Sequence, residues 1–107
     1  LRRIFAKVTE LIEATKCQRA VLVGHNAWFD MSFILNAVKR CSISTFPFHS
    51  FTTFDTATMA AVAMGETVLA KAIRRANIEF DVSKAHSAIY DAEKTADLFC
   101  YIVNRSS

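Results

Sequence analysis

The sequence predicts an α/β fold, and three observations predict it. Stretches with a helical hydrophobic period alternate with short apolar runs of strand length. Hydrophobic residues make up 52% of the chain, which supports a core and excludes a disordered segment. Two glycines and one proline in 107 residues leave little room for linkers, so the chain holds one domain at most, with a modest core.

Residues 3–16 carry Ile4, Val8, Leu11 and Ile12 on one helical stripe. Residues 19–24 read as a short buried strand, a brief apolar run ending at Gly24. Residues 29–41 return to helical period, with Phe33, Ile34, Ala37, Val38 and Cys41 on one side, and residues 42–50 form a loop around Pro47. Phe51 to Phe54 is a second short strand. Asp55 then stands where a helix N-cap belongs and Gly65 where that helix stops. Thr67 is expected to cap a further helix carrying Leu69, Ala72, Ile73 and Ala76. The last helix is expected from about Ser87 to Asn104, with Ile89, Ala92, Ala96, Phe99 and Val103 as its inner stripe. Two strands cannot cover themselves, so further strands upstream of Leu1 are expected. The opening Leu1-Arg2-Arg3, without an initiator methionine or a signal-peptide pattern, agrees with that expectation. No run reaches the roughly 18 apolar residues a spanning helix needs, so no membrane partner is expected.

Cys17, Cys41 and Cys100 are too few and too scattered for a disulfide framework and form no CxxC. They are expected to be buried, reduced thiols of a cytosolic protein. Asn104-Arg105-Ser106 is a formal glycosylation sequon without other signs of secretion. The formal charge of +3 comes from dispersed residues, among them Arg2, Arg3, Arg19, Lys39 and Arg40. It permits an anionic partner without demanding one, and ordinary solvated helix faces are the plainer account.

Chemistry gathers at two places. Asp30 follows a strand end and opens a helix, with Phe33, Ile34 and Ala37 at +3, +4 and +7. Its carboxylate is therefore expected on the apolar side, toward the sheet, where a lone charge is costly unless it is paired or binds a cation. The plain alternative is an aspartate stabilised by a helix N-terminus. Asp91 sits about one turn into the last helix, and His86 lies five residues earlier. Phosphodiester hydrolysis gives such a set a purpose. Two cations roughly 3.5–4 Å apart stabilise attacking and leaving oxygens. Carboxylates suit Mg²⁺ or Mn²⁺, and a histidine titrating near neutrality suits removal of the water's proton. Phe29 adjoins Asp30, and Phe46, Phe48, Phe51 and Phe54 cluster downstream with His49 among them. Phenylalanines at a site's rim stack on unpaired bases. The alternative for each is core packing, and Phe54 is expected in the core.

These residues resemble the DEDD family of 3′-to-5′ exonucleases, in its histidine-bearing subclass. Asn26-Ala-Trp-Phe-Asp30 resembles the family's second motif, and His86-Ser-Ala-Ile-Tyr-Asp91 its third. The sister subclass has tyrosine four positions before the aspartate. Ser87 stands there instead, and Tyr90 is too close to Asp91 to replace it. The resemblance runs through Cys17-Gln-Arg-Ala-Val-Leu-Val, Pro47 to Ala57, Ala85 to Asp91 and Leu98 to Arg105, essentially the whole chain. It implies a ribonuclease H-like fold, a mixed central sheet flanked by helices, with residues 1–107 as the C-terminal part of a single exonuclease domain. Asp30 and Asp91, with His86 close to or touching the metal, would be the metal ligands for two Mg²⁺ ions, Mn²⁺ being the alternative. His86 would be the general base. Phe29 and Phe51 would stack on the last bases, and Arg19 would belong to a basic patch that grips nucleic acid. The implied protein is a cytoplasmic homodimer that trims single-stranded 3′ ends of structured RNA such as transfer RNA and degrades single-stranded DNA ends.

One departure is large. The family's first motif, an Asp-x-Glu on the first strand, has no counterpart. The only acids before Asp30 are Glu10 and Glu13, three apart on a helical pattern. The chain alone is therefore expected to hold metal poorly and to be inactive. Its uncovered apolar faces are expected to aggregate or to pair with a partner. Two rival readings remain. A polymerase proofreading exonuclease shares both motifs, and comparing RNA with DNA turnover separates the two. A non-catalytic binding or dimerisation module would begin at a true start at Leu1, whereas an in-frame upstream Asp-x-Glu supports the enzyme.

Overall fold

Ala20–Gly24 is short, apolar and followed by a helix, and it pairs in parallel with Phe48–Asp55. The intervening helix makes the parallel crossover, since a parallel pair needs a long connection. The computed structural model describes residues 1–106. In chain order these form α1 (Arg2–Ala14), β1 (Ala20–Gly24), α2 (Ala27–Arg40), β2 (Phe48–Asp55), α3 (Thr56–Met64), α4 (Leu69–Arg75), a 3₁₀ turn (Val82–Lys84) and α5 (Ala88–Ser106). Leu22 pairs with Thr53, Val23 with Phe54 and Gly24 with Asp55, so both strands end at the same sheet edge. Among the described residues this parallel pair is the whole sheet. No described helix is long and apolar enough to cross a membrane.

The α/β reading and the element order hold, with corrections at the edges. β2 begins at Phe48 rather than Phe51, directly after Pro47. The proline carbonyl accepts from Ala20 N–H at 3.4 Å and so feeds the ladder from outside the strand. Asp55 caps α3 by accepting from Ala57 N–H, and Gly65 ends it at φ 70°. Thr67 does not cap α4. Its N-cap is Val68, and the Glu66 carboxylate accepts from Thr67 N–H and Val68 N–H instead.

The core lies between α3, α4 and α5, where Ala60, Ala72, Ile73, Ala76, Leu98 and Ile102 are buried. Small alanines on α3 and α4 let the helices approach closely around Ile73 and Leu98. The expected α4 face is the observed one. On α5 the buried stripe is Thr95, Leu98 and Ile102, not the expected one, and Ile89 is 74% exposed. This helix has two apolar stripes, and α3 and α4 cover only one. Ala92, Ala96 and Phe99 of the other line a cleft beside β1. Phe54, expected in the core, is 44% exposed and stacks on Phe99 with ring centroids 5.9 Å apart.

A second cluster forms around α1. Phe5 is buried against the edges of Phe46 and Phe48, so these two loop-flanking rings are packing residues. Ile4 and Leu11 are exposed, because the inner face of α1 is that of Phe5, Val8 and Ile12. On α2 the inner residues are Ala27 and Met31, while Phe33 is exposed. All three cysteines are free and exposed, which corrects the expectation of burial.

Candidate active site

Gly24 closes β1, and the chain must turn there within two residues into α2. A Cβ on Gly24 would lie 2.5 Å from Asp30 Oδ2 and 3.3 Å from both Cα and Cβ of Ala27. The missing side chain is what lets the first turns of α2 fold back over the strand end. Asn26 makes the turn in the left-handed region at φ 63°, a conformation asparagine tolerates better than most residues.

That turn is held from β2 and α3. Asp55 Oδ1 accepts from Asn26 N–H at 2.8 Å and Ala57 N–H at 3.0 Å, and Oδ2 accepts from the Thr58 hydroxyl at 3.1 Å. Burial pushes the Asp55 carboxyl up, but the bonds from Asn26, Ala57, Thr58 and Ala27 outweigh it and hold it below the usual carboxylate range. His25 adds a second tie. Its Nδ1 lies 2.8 Å from the Thr56 hydroxyl and its Nε2 2.6 Å from the Thr67 carbonyl. A carbonyl only accepts, so Nε2 carries the proton, and in the neutral ring Nδ1 accepts from Thr56. Sequence reasoning singled out neither His25 nor the role of Asp55 across the turn. Asp55 is legible in the sequence only as an N-cap, since its bond to Asn26 spans 29 residues.

Asp30 is set apart from Asp55. Among the described residues no hydrogen bond reaches its carboxylate. Burial, then the charge of Asp55, raise its pKa above the ordinary value. Asp91 is half-buried in the first turn of α5, its N–H donating to Ser87 O at 2.9 Å. Asp30 and Asp91 line the same cleft of about 740 Å³ between β1 and α5, together with His25 and Phe99. The structure thus brings together the two carboxylates expected to bind metal. His86 does not line that cleft. It sits exposed at φ 72° on the loop before α5, two residues ahead of Ala88, which does line it. The loop is fastened by Tyr90, whose phenolic oxygen accepts from Asp81 N–H at 2.6 Å and whose ring packs on Phe80 and under the ammonium groups of Lys84 and Lys94.

The donor set has the right chemistry for a hard divalent cation, since both cleft carboxylates offer oxygen. The number falls short of a two-ion centre: no group of three or more His, Cys, Asp or Glu able to hold a metal occurs among the described residues.

The remaining expected site residues surround this core. Phe29 is 59% exposed and meets Trp28 edge to face at 5.9 Å. Phe51 is 93% exposed in the middle of β2, beside the His49 ring. Arg19 is exposed at the opposite end of β1, roughly 16 Å of strand from Gly24. Trp28, within the second motif, went unremarked in the sequence. It is 68% exposed and lines a groove with Phe51.

A family model described as "Exonuclease" matches residues 5–99. Ribonuclease T of Shewanella sp. (strain MR-4) is 55% identical over 102 residues, covering 95% of this chain and 46% of the relative. Ribonuclease T of Vibrio cholerae serotype O1 is 52% identical over 105 residues, covering 98% and 47%. That of Shewanella baltica is 54% identical over 102 residues, covering 95% and 46%. The chain spans about half the length of these curated relatives. Exonucleases of this kind act on nucleic acid and are generally dependent on divalent metal. With its parallel strand pair, its paired cleft carboxylates and a family match along nearly its full length, the chain belongs to the exonuclease family of ribonuclease T and shares that family's ribonuclease H-like α/β fold.

Proposed function

We propose that this chain supplies the cleft carboxylates and the proton acceptor of a metal-dependent 3′-to-5′ exoribonuclease. Its substrates are single-stranded 3′ ends of structured RNA such as transfer RNA, and single-stranded DNA ends. The observation that carries the reading is the placement of Asp30 and Asp91 in one cleft at the carboxyl end of β1, where sheets of this class bind ligands. Asp30 and Asp91 hold Mg²⁺, or Mn²⁺ in its place. Two such ions, when bound, supply Lewis-acid stabilisation of the attacking and leaving oxygens. His86 takes the proton of the attacking water, and its exposed loop leaves it free to approach. The Phe29 and Phe51 faces grip the terminal bases by stacking, which tolerates any sequence. Arg19 lies far enough from the cleft to serve a neighbouring subunit's substrate in a homodimer. A cytoplasmic setting belongs to the same reading.

The test uses a labelled single-stranded RNA 3′ end with Mg²⁺ or Mn²⁺. The 107-residue chain alone should leave it intact, because two cleft carboxylates do not complete the centre. Mixed with a polypeptide supplying a strand-borne Asp-x-Glu from one of the relatives, it should shorten the RNA stepwise, and Asp91→Asn should abolish this. Metal-dependent trimming by the chain alone, or undiminished trimming by the Asp91→Asn pair, overturns the reading.

A further inference from the structure

Trp28 is the single tryptophan of the chain, and it is 68% exposed although nothing in the fold requires a large ring there. It lines a shallow groove of about 440 Å³ between α2 and β2, with Ser32, Leu35, Asn36, Ser50 and Phe51. At one end the groove neighbours the proposed site through a ring contact. The Trp28 ring meets the Phe29 ring at 5.9 Å and 85°, and Phe29 adjoins Asp30. At the other end Asn36 leads to Lys39 and Arg40, in the last turn of α2. The Arg2 guanidinium is fixed nearby, donating to Cys41 O at 3.2 Å. No acidic residue lines the groove or its extension along α2. From Trp28 to Lys39 the helix rises roughly 16 Å, the reach of a few nucleotides.

We propose that Trp28 is a nucleobase-stacking platform, and that the α2–β2 groove running from it to Lys39 and Arg40 carries the nucleotides upstream of a bound single-stranded 3′ end. The proposal rests on the nuclease reading and adds a binding track beyond the stacking rings Phe29 and Phe51. Exposed aromatic faces followed by cations, with hydroxyl and amide groups between them, are the pattern of sequence-tolerant single-strand binding. A track of this kind adds little to a dinucleotide, whose two bases Phe29 and Phe51 take, and adds affinity to longer strands.

The single tryptophan makes the test direct. The intact chain, without metal, is titrated with a thymidylate dinucleotide and with a longer oligothymidylate, followed by tryptophan fluorescence and by anisotropy of a labelled strand. The longer strand should quench Trp28. Trp28→Ala should weaken its binding roughly 5- to 150-fold while hardly affecting the dinucleotide. Replacing Lys39 and Arg40 together by alanine should flatten the salt dependence of log affinity by about 1.4. Trp28→Phe should restore most of the affinity, and thermal melting of the variants should match the parent, as the position is exposed. Binding of the longer strand without quenching, and with equal affinity for Trp28→Ala, overturns the track while leaving the nuclease reading intact. Absence of any strand binding by the parent overturns both. A Trp28→Ala effect on sedimentation but not on strand binding makes the groove a contact between copies and overturns the track as well.

Discussion

Gly24→Ala separates folding from chemistry in this molecule. The added methyl would stand 2.5 Å from Asp30 Oδ2, about 0.9 Å short of the 3.4 Å where ordinary contact begins, and 3.3 Å from Cα and Cβ of Ala27. The Ala27 contacts require a shift of a few tenths of an ångström in the first turn of α2, and overpacking of that kind costs about 1 kcal/mol. Replacing glycine by alanine at a strand end restrains the unfolded chain and returns roughly 0.4–1 kcal/mol. The two effects nearly cancel, so the urea midpoint should move little. The Asp30 carboxylate, at the end of a rotatable side chain, yields easily but must leave its place. A catalytic group displaced by about 1 Å forfeits on the order of 100-fold in rate. The assay is trimming of a labelled RNA 3′ end by the chain reconstituted with an Asp-x-Glu polypeptide, beside urea unfolding of the chain alone. A trimming rate within about threefold of the parent would refute the argument that Gly24 makes the space in which Asp30 works.

Four further outcomes are expected. Phe51→Ala should change stability by no more than about 0.5 kcal/mol, since the ring is 93% exposed, yet weaken single-stranded RNA binding by about 1–3 kcal/mol in anisotropy titrations. Asp30→Asn should stabilise the fold at neutral pH by at most about 1 kcal/mol after solvent screening while abolishing trimming. Because the folded-state pKa of Asp30 is raised, its ionised form disfavours the fold above that pKa. The gain should therefore be full above that raised pKa, fade as pH falls through it, and be nearly gone below the ordinary value of 3.8, which denaturant melts across pH will show. Leu98→Ala empties a fully buried site where α3, α4 and α5 meet and should cost about 2–5 kcal/mol, read as loss of the cooperative thermal transition. The chain should bind a hydrophobic dye through its exposed apolar side chains, Ile89 and Phe54 among them, and Ile89→Asp should reduce that binding without lowering the melting temperature.

Element types were legible because each carried a local signal: apolar runs for β1 and β2, Asp55 and Gly65 as brackets around α3, and the 3.6 period for the helices. Helix faces were less so. α5 presents two apolar stripes, and period alone does not say which one α3 and α4 cover. The same ambiguity placed Phe54 in the core, when the ring is half exposed against Phe99. On α1 and α2 the missed inner residues continue the expected stripes, Phe5 three before Val8 and Met31 three before Ile34, while Ile4, Leu11 and Phe33 stand at stripe margins whose exposure only the packing partner fixes. Asp30 and Asp91 stood out through the two motifs, and the structure places both on one cleft. The ties from His25 to Thr56 and Thr67 span 31 and 42 residues and leave no periodic trace. The shared cleft was legible only in part, since a motif names residues without showing that His86 stands outside the space its partners line.

Parallel pairing makes the division of labour among the carboxylates follow from register. Because Gly24 pairs with Asp55, the ends of β1 and β2 meet, and two acidic groups arrive at one edge of the sheet. Two like charges there disfavour each other unless each is compensated. Asp55 is compensated by amide and hydroxyl donors, and in accepting them it fixes the turn at Asn26 on which α2 is built. Asp30 receives no such donors from the protein and stands solvent-exposed near that charge, facing a cleft it shares with Asp91. A carboxylate without protein donors is well suited to a cation, because only its water need be displaced when the cation arrives. The two aspartates are therefore opposite in kind: Asp55 spends its oxygens on the fold, and the fold keeps those of Asp30 free.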